Sequence, residues 1–124
     1  MDVVDVGDVG DAIDLFGERY LRRIASDRER RAWQAPVAGT ERHVAGAFAA
    51  KEAVLKALGG DADTVRWQDI ELQRGTSGRW AVALRDEAAA LARRAGVTEI
   101  SVSIGITHTM ATAIAIATTT EDGG

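Results

Sequence analysis

Apolar residues recur at spacings of three and four between Val9 and Ile24, where Val9, Ile13, Phe16, Tyr20 and Ile24 share one side. That period predicts a helix with one buried stripe, and Asp8 or Asp11 can cap its start with a side-chain oxygen. Ahead of it, Asp2 to Val6 is a short valine-rich run that predicts a strand, broken at Gly7 and Asp8. Ser26 to Gly39 is a polar stretch containing Trp33 and the single proline, Pro36, and reads as a loop or a frayed helix. A second helix is expected from a cap at Thr40 through RHVAGAFAAKEAVLKAL to the pair Gly59 and Gly60, because glycine is the ordinary helix stop.

Farther along, strand-like runs from Val65 to Gln73 and from Trp80 to Leu84 flank the turn formers of Gly75 to Gly78, which predicts a hairpin. Asp86 to Ala95 predicts a short alanine-rich helix stopped by Gly96. Two β-branched runs follow, Ile100 to Thr107 and Met110 to Thr118, and TTTEDGG reads as a frayed tail. Together these elements give an α+β fold with a small antiparallel sheet packed on a long central helix. Residues 1–120 form a single domain and 121–124 the tail.

Composition narrows what such a domain can do. With 124 residues, the chain supports one modest core but no deep private cleft, so a large ligand belongs on its surface or between chains. At 46% hydrophobic and 27% charged it has the profile of a folded globular protein. The absence of cysteine excludes disulfide staples, thiolate zinc sites and cysteine nucleophiles. The start carries no signal-peptide pattern, and no run reaches the roughly 18 apolar residues of a membrane span, so a cytoplasmic location away from the membrane is the simplest expectation. A formal net charge of -4 argues against general nucleic-acid binding. The charge is uneven, however, and Arg19, Arg22 and Arg23 give the first helix a basic face.

On the second helix, Phe48, Glu52 and Lys56 follow one another at four-residue steps and stack along one side. Spacing alone makes Glu52 and Lys56 an ordinary surface pair, worth about 0.2–0.5 kcal/mol. The small residues around them, Ala45, Gly46, Ala47, Ala49, Ala50 and Ala53, let another backbone or a ligand come close.

The string FAAKEAVLKALG, from Phe48 to Gly59, resembles the signature helix of the 4'-phosphopantetheinyl transferases, specifically the small holo-acyl-carrier-protein synthase type. The other pieces stand in the matching order: the Asp-Val-Val strand, FGERYLRRI, WQDIELQRGTSGRWAVAL, DEAAALARRAGV and ISVSIGITHTMATAIAIA, so the resemblance covers nearly the whole chain. It implies a Mg2+-dependent enzyme that moves the phosphopantetheine arm of coenzyme A to a serine of an acyl carrier protein and releases adenosine 3',5'-bisphosphate. A pyrophosphate substrate suits Mg2+, which takes carboxylate, water and phosphate oxygens, and the resemblance makes Asp2 and Glu52 the metal ligands. Asp5 and Asp8, close by, read better as a strand edge and a helix cap. Glu52 and Lys56 are the implied catalytic pair, with Lys56 offsetting charge on the phosphoryl group or the leaving bisphosphate.

Coenzyme A is expected to contact Lys51, Lys56 and Gly59, and also Thr107, His108 and Thr109, which stand where the family usually has Ser-His-Thr. Lys51 points about 100° from Glu52, which suits a ligand contact or plain solvation. Gly59 is equally well explained as a helix stop. No histidine is obviously placed near the acids to take the serine proton, which leaves a metal-bound water or a carboxylate as the base. The basic face of Arg19, Arg22 and Arg23 would dock an acidic helix of the carrier. The family's small members are homotrimers that bind coenzyme A between neighbouring chains, so the acids of one chain would meet the histidine segment or hairpin of another.

Four departures stand against the family pattern. Only Met1 precedes Asp2, where members often carry several residues and a glycine; Ala47 stands at a common arginine; Trp80 replaces a proline and Thr107 a serine. The alternative reading is therefore a member that keeps the fold but serves as a binding or assembly partner in a fatty acid or polyketide carrier pathway, with weak or no transfer.

Overall fold

A long helix, α4 (Thr40–Ala57), organises the structure, a computed structural model that describes residues 1–33, 40–74 and 79–119. Its middle is built of small residues, and Val44, Ala45, Gly46, Ala49, Ala50, Ala53 and Val54 are all buried. Short side chains let the sheet approach closely. A β-carbon at Gly46 would lie 2.9 Å from Ile106 Cδ1 and 3.2 Å from Ile104 Cγ2, so a side chain there would press on the strand above it.

The sheet packed on α4 has five antiparallel strands: β1 (Asp2–Asp5), β2 (Ile70–Arg74), β3 (Trp80–Leu84), β4 (Val97–Ile106) and β5 (Met110–Thr119), in the order β1-β5-β4-β3-β2. Side chains alternate along β5 as the pleat requires. Ala111 and Ala113 face α4 and are buried, while Ile114 and Ile116 are 51% and 57% exposed on the opposite face. Ala113 lies between Asp2 of β1 and Ile104 of β4, so the register carries Asp2 onto the helix-covered side. The expected α+β architecture and its central helix are observed.

The remaining helices are α1 (Val6–Phe16), α2 (Glu18–Ile24), α3 (Asp27–Trp33) and α5 (Asp86–Arg94). Several boundaries differ from the sequence expectation. The first helix is not continuous: it breaks at Gly17, whose φ of 54° suits glycine, and the break leaves Phe16 58% exposed instead of in the buried stripe. Its cap is Asp5, whose Oδ1 accepts from the Asp8 amide at 3.0 Å, and neither Asp8 nor Asp11 plays that part.

The polar run after it forms α3 because Ser26 and Glu29 make a reciprocal cap. The Ser26 amide donates to Glu29 Oε1 at 2.9 Å and the Glu29 amide donates to Ser26 Oγ at 3.2 Å. Residues Trp67–Asp69 form a 3-10 turn, so the strand starts at Ile70 and not at Val65. Of the last two strands, β4 starts earlier than the expected run, at Val97, and ends at Ile106, which leaves Thr107 in the turn, while β5 runs on to Thr119. Pro36, the hairpin turn at 75–78 and the tail at 120–124 lie outside the described residues. Among the described residues no helix is long and apolar enough to cross a membrane.

Candidate active site

Where α4 passes β1, three of the expected side chains meet. Lys56 Nζ donates to Asp2 Oδ1 at 2.6 Å, tying the last turn of the helix to the start of the strand. Asp2 is 8% exposed, and among the described residues its buried Oδ2 has no hydrogen-bond partner. Glu52, one turn before Lys56, is half-buried. Burial first, and then the Asp2 carboxylate beside it, push the Glu52 carboxyl up to about 7 against the pull of Lys56. The hydrogen bond and charge of Asp2 in turn raise Lys56.

Two carboxylates held together, one with an orphaned oxygen, form an electron-rich locus suited to a divalent cation. The donor set is right for Mg2+, which binds through one or two carboxylates and completes its shell with waters and phosphate oxygens. Among the described residues no cluster of three or more His, Asp or Glu side chains forms an all-protein metal cage.

Next to the acids, a groove of about 520 Å³ is lined by Phe16, Arg19, Tyr20, Arg23, Phe48 and Trp67. Phe48 and Trp67 meet edge to face with centroids 5.2 Å apart, which stiffens one wall. The Tyr20 phenol is raised by burial and then by the charge of Glu52, so this residue belongs to the site as well as to the helix stripe. Of the three expected docking arginines, Arg19 and Arg23 line the groove, while Arg22 pairs with Glu18 at 3.5 Å.

Lys51 corrects the sequence reading. It is neither solvated nor available to a ligand: its side chain is fully buried, and Nζ donates to Glu29 Oε1 at 2.6 Å and to the Trp67 carbonyl at 2.9 Å. Burial lowers its pKa, with Glu29 pulling in the opposite direction. Glu29 also accepts from the Leu72 amide at 3.0 Å, and Ser26 Oγ donates to Glu71 Oε2 at 2.7 Å. The network joins α3, α4 and β2. Ser26-Asp27-Arg28-Glu29 is the Ser-x-x-Glu signature of a helix start, so that part of it was readable in the sequence.

Gly59 follows α4 with a φ of 73°, and its amide donates to the Lys56 carbonyl at 3.1 Å, which explains it as the helix stop. Thr107, His108 and Thr109 form the turn between β4 and β5 and are exposed. Thr107 ties the turn together: its amide donates to the Met110 carbonyl at 2.8 Å, and its Oγ1 accepts from the Met110 amide at 3.1 Å. The Thr109 carbonyl accepts from the Val6 amide at 2.9 Å. His108 Nδ1 stands 2.6 Å from Arg42 Nη2, a residue that sequence reasoning did not single out.

Arg42 and Glu52 are ten positions apart on one helix, about 15 Å at 1.5 Å per residue. Within one chain, therefore, the structure assembles Asp2, Glu52 and Lys56 and leaves the Thr107–Thr109 turn toward the other end of α4. Ala47 and Trp80, two of the departures from the family pattern, line a common cavity of about 760 Å³.

The pattern of the 4'-phosphopantetheinyl transferase superfamily matches residues 1–117. The chain is 34% identical over 116 residues to the holo-acyl-carrier-protein synthase of Natranaerobius thermophilus, covering 94% of this chain and 92% of that protein. It is 38% identical over 117 residues to the same synthase of Desulforudis audaxviator, covering 94% and 88%. The ACPS-CoA complex from Chronobacterium ammoniagenes superposes with a TM-score of 0.76 at 26% identity, covering 97% of this chain and 95% of that one.

Proposed function

Because the chain belongs to the 4'-phosphopantetheinyl transferase superfamily, we propose that it is a holo-acyl-carrier-protein synthase, transferring the 4'-phosphopantetheine arm of coenzyme A to a serine of an apo acyl carrier protein. The serine oxygen bonds to the phosphorus that carries the pantetheine arm, the bond from that phosphorus to the bridging oxygen breaks, and adenosine 3',5'-bisphosphate leaves. The serine proton passes to a base or to solvent. The observation that carries this reading is the convergence of Asp2, Glu52 and Lys56 where β1 crosses α4.

Asp2 and Glu52 hold Mg2+ in this reading, and when bound the ion supplies positive charge to the pyrophosphate. The orphaned Asp2 Oδ2 and the crowded Glu52 carboxyl support that role. Lys56, with a side chain 61% exposed, offers an ammonium at the solvent edge, where phosphate oxygens arrive. Arg19 and Arg23, flanking an apolar groove with Phe16 at its rim, suit an acidic carrier helix that also presents an apolar side chain. Arg22 adds to the same field. Gly59 and the turn Thr107, His108 and Thr109 take the nucleotide end of coenzyme A.

The working unit is a homotrimer. Two features support this: the histidine turn and the acids are too far apart on one chain to act as one site, and Val3, Ile114 and Ile116 expose apolar surface on the uncovered face of the sheet. As an enzyme of coenzyme A and carrier proteins, it works in the cytoplasm.

Intact-protein mass spectrometry tests the reading, using purified protein, Mg2+, coenzyme A and apo carriers of the fatty acid, polyketide and peptide classes. The expected result is a gain of one phosphopantetheine on at least one carrier. No gain on any carrier, with coenzyme A binding still measurable, would overturn the transferase reading in favour of a binding or assembly role.

A further inference from the structure

The groove lined by α1 and α2 lies between unlike charges. On α1, Asp8, Ala12 and Phe16 follow one another at four-residue steps along one line, and Asp11 and Leu15 form the line beside it. Ala12 and Phe16 line the groove, and Leu15 and Phe16 are exposed. Each line therefore begins at an exposed acid and ends at an exposed apolar side chain. Asp8 to Phe16 spans about 12 Å at 1.5 Å per residue. Beyond the break at Gly17, α2 continues the surface with Arg19 and Arg23, both exposed and both lining the groove. The order along the surface is acid, apolar, base.

These charges are not used within the described structure. Among the described residues none of Asp8, Asp11, Arg19 and Arg23 is in an ion pair. Glu18, the acid of α2, is taken by Arg22 at 3.5 Å and Arg30 at 3.7 Å. Asp8 lies in the first turn of α1 and suits the helix dipole, but Asp11 is beyond the turn where that field acts. An acidic helix laid in the groove satisfies Arg19 and Arg23 at one end, while its other end meets Asp8 and Asp11 as like charges. A helix with a base at that end satisfies both, and unlike charges across a contact set register as well as affinity.

We propose that the groove selects a carrier-protein helix of mixed polarity. Its acids face Arg19 and Arg23, an apolar side chain rests on Leu15 and Phe16, and a lysine or arginine faces Asp8 and Asp11. This rests on the transferase reading above and adds to it the order of charge on the carrier. Asp8 and Asp11 thereby become specificity-determining residues that reject a carrier helix acidic from end to end.

The test is steady-state transfer by the full chain with Mg2+ and coenzyme A to three forms of one apo carrier. One form has a docking helix acidic throughout, and the others carry lysine in place of the last acid at one end or the other. One lysine form is expected to lower the carrier KM about two- to fivefold, and the other to raise it. The gain should vanish in the double variant Asp8→Asn with Asp11→Asn, while the KM for coenzyme A stays unchanged. Asp11→Asn alone, outside the first turn, should lose part of the gain without touching the helix start. If neither lysine form lowers the KM, or the gain survives in the double variant, this proposal fails and the transferase reading stands. If no form of the carrier is modified, both fail.

Discussion

Lys56 Nζ and Asp2 Oδ1 are 2.6 Å apart and 54 positions apart in sequence. The bond makes the last turn of α4 and the first residue of β1 one chemical unit, with Glu52 crowded beside them.

Glu52→Gln keeps the size and half-buried position of the side chain but removes the ionisable oxygen pair. Transfer to an apo carrier should fall by about two orders of magnitude or more, and the melting temperature should change by no more than a few degrees. Retention of full turnover in the variant, measured at saturating Mg2+, would remove Glu52 from the site.

Charge reversal on α2 should separate the two substrates. Arg23→Glu faces the groove and should raise the KM for the carrier several-fold while changing that for coenzyme A little. Arg22→Glu should have a smaller effect, because Arg22 is already paired with Glu18. Both effects should shrink as salt screens the encounter. Equal changes in the two KM values would sink the docking assignment.

Lys51→Met strands Glu29 in the interior without its counter-charge. Breaking a buried pair in this way costs about 3–5 kcal/mol, a large share of the stability of a domain this size. The double variant Lys51→Met with Glu29→Gln should recover much of that loss. Urea denaturation of the single and double variants reads the difference, and a Lys51→Met protein as stable as the original would contradict the buried pairing.

Glu71 supplies an acid-dependent contribution. Burial pushes its carboxyl up, but the hydrogen bonds from Ser26, Gln73 and Arg85 and the charge of Arg85 outweigh this, so the folded protein holds it below the usual 4.5. A depressed acid contributes stability that is present above its unfolded value and is lost as pH falls through the lower folded value. The melting temperature should therefore drop on acidification below 4.5, and Glu71→Gln should flatten that part of the curve while lowering the plateau at neutral pH. An unchanged acid limb in the variant would exclude Glu71 as a source.

How much of this was legible in the sequence varied with the range of the cause. The central helix was plain because its signals are local: small residues along one face and a glycine stop. The pairing of Glu52 with Lys56 on one side followed from helical period alone. Asp2 joined them only through a resemblance, since its position depends on β1 pairing with β5, more than a hundred residues away in sequence. Lys51 was misplaced because a helical wheel gives a direction but not what is packed there, and its partner Glu29 comes from α3. The break at Gly17 went unread because the apolar spacing continues across it, whereas backbone angle decides the outcome. The contact of Arg42 with His108 is not legible in the sequence because it forms only through a turn that folds back from the far end of the chain.

The placement of Asp2 on β1 has a consequence for how the site opens. This strand is four residues long and sits at the edge of the sheet, bonded to β5 on one side only. Edge strands of this length fray at a small fraction of the global unfolding free energy. Fraying here would carry one acid away from the other while the core stays intact, so whatever bridges Asp2 and Glu52 also zips β1 onto the sheet. Occupancy of the site should then be visible as slowed amide exchange in Val3 to Asp5, making the edge strand a reporter of ligation.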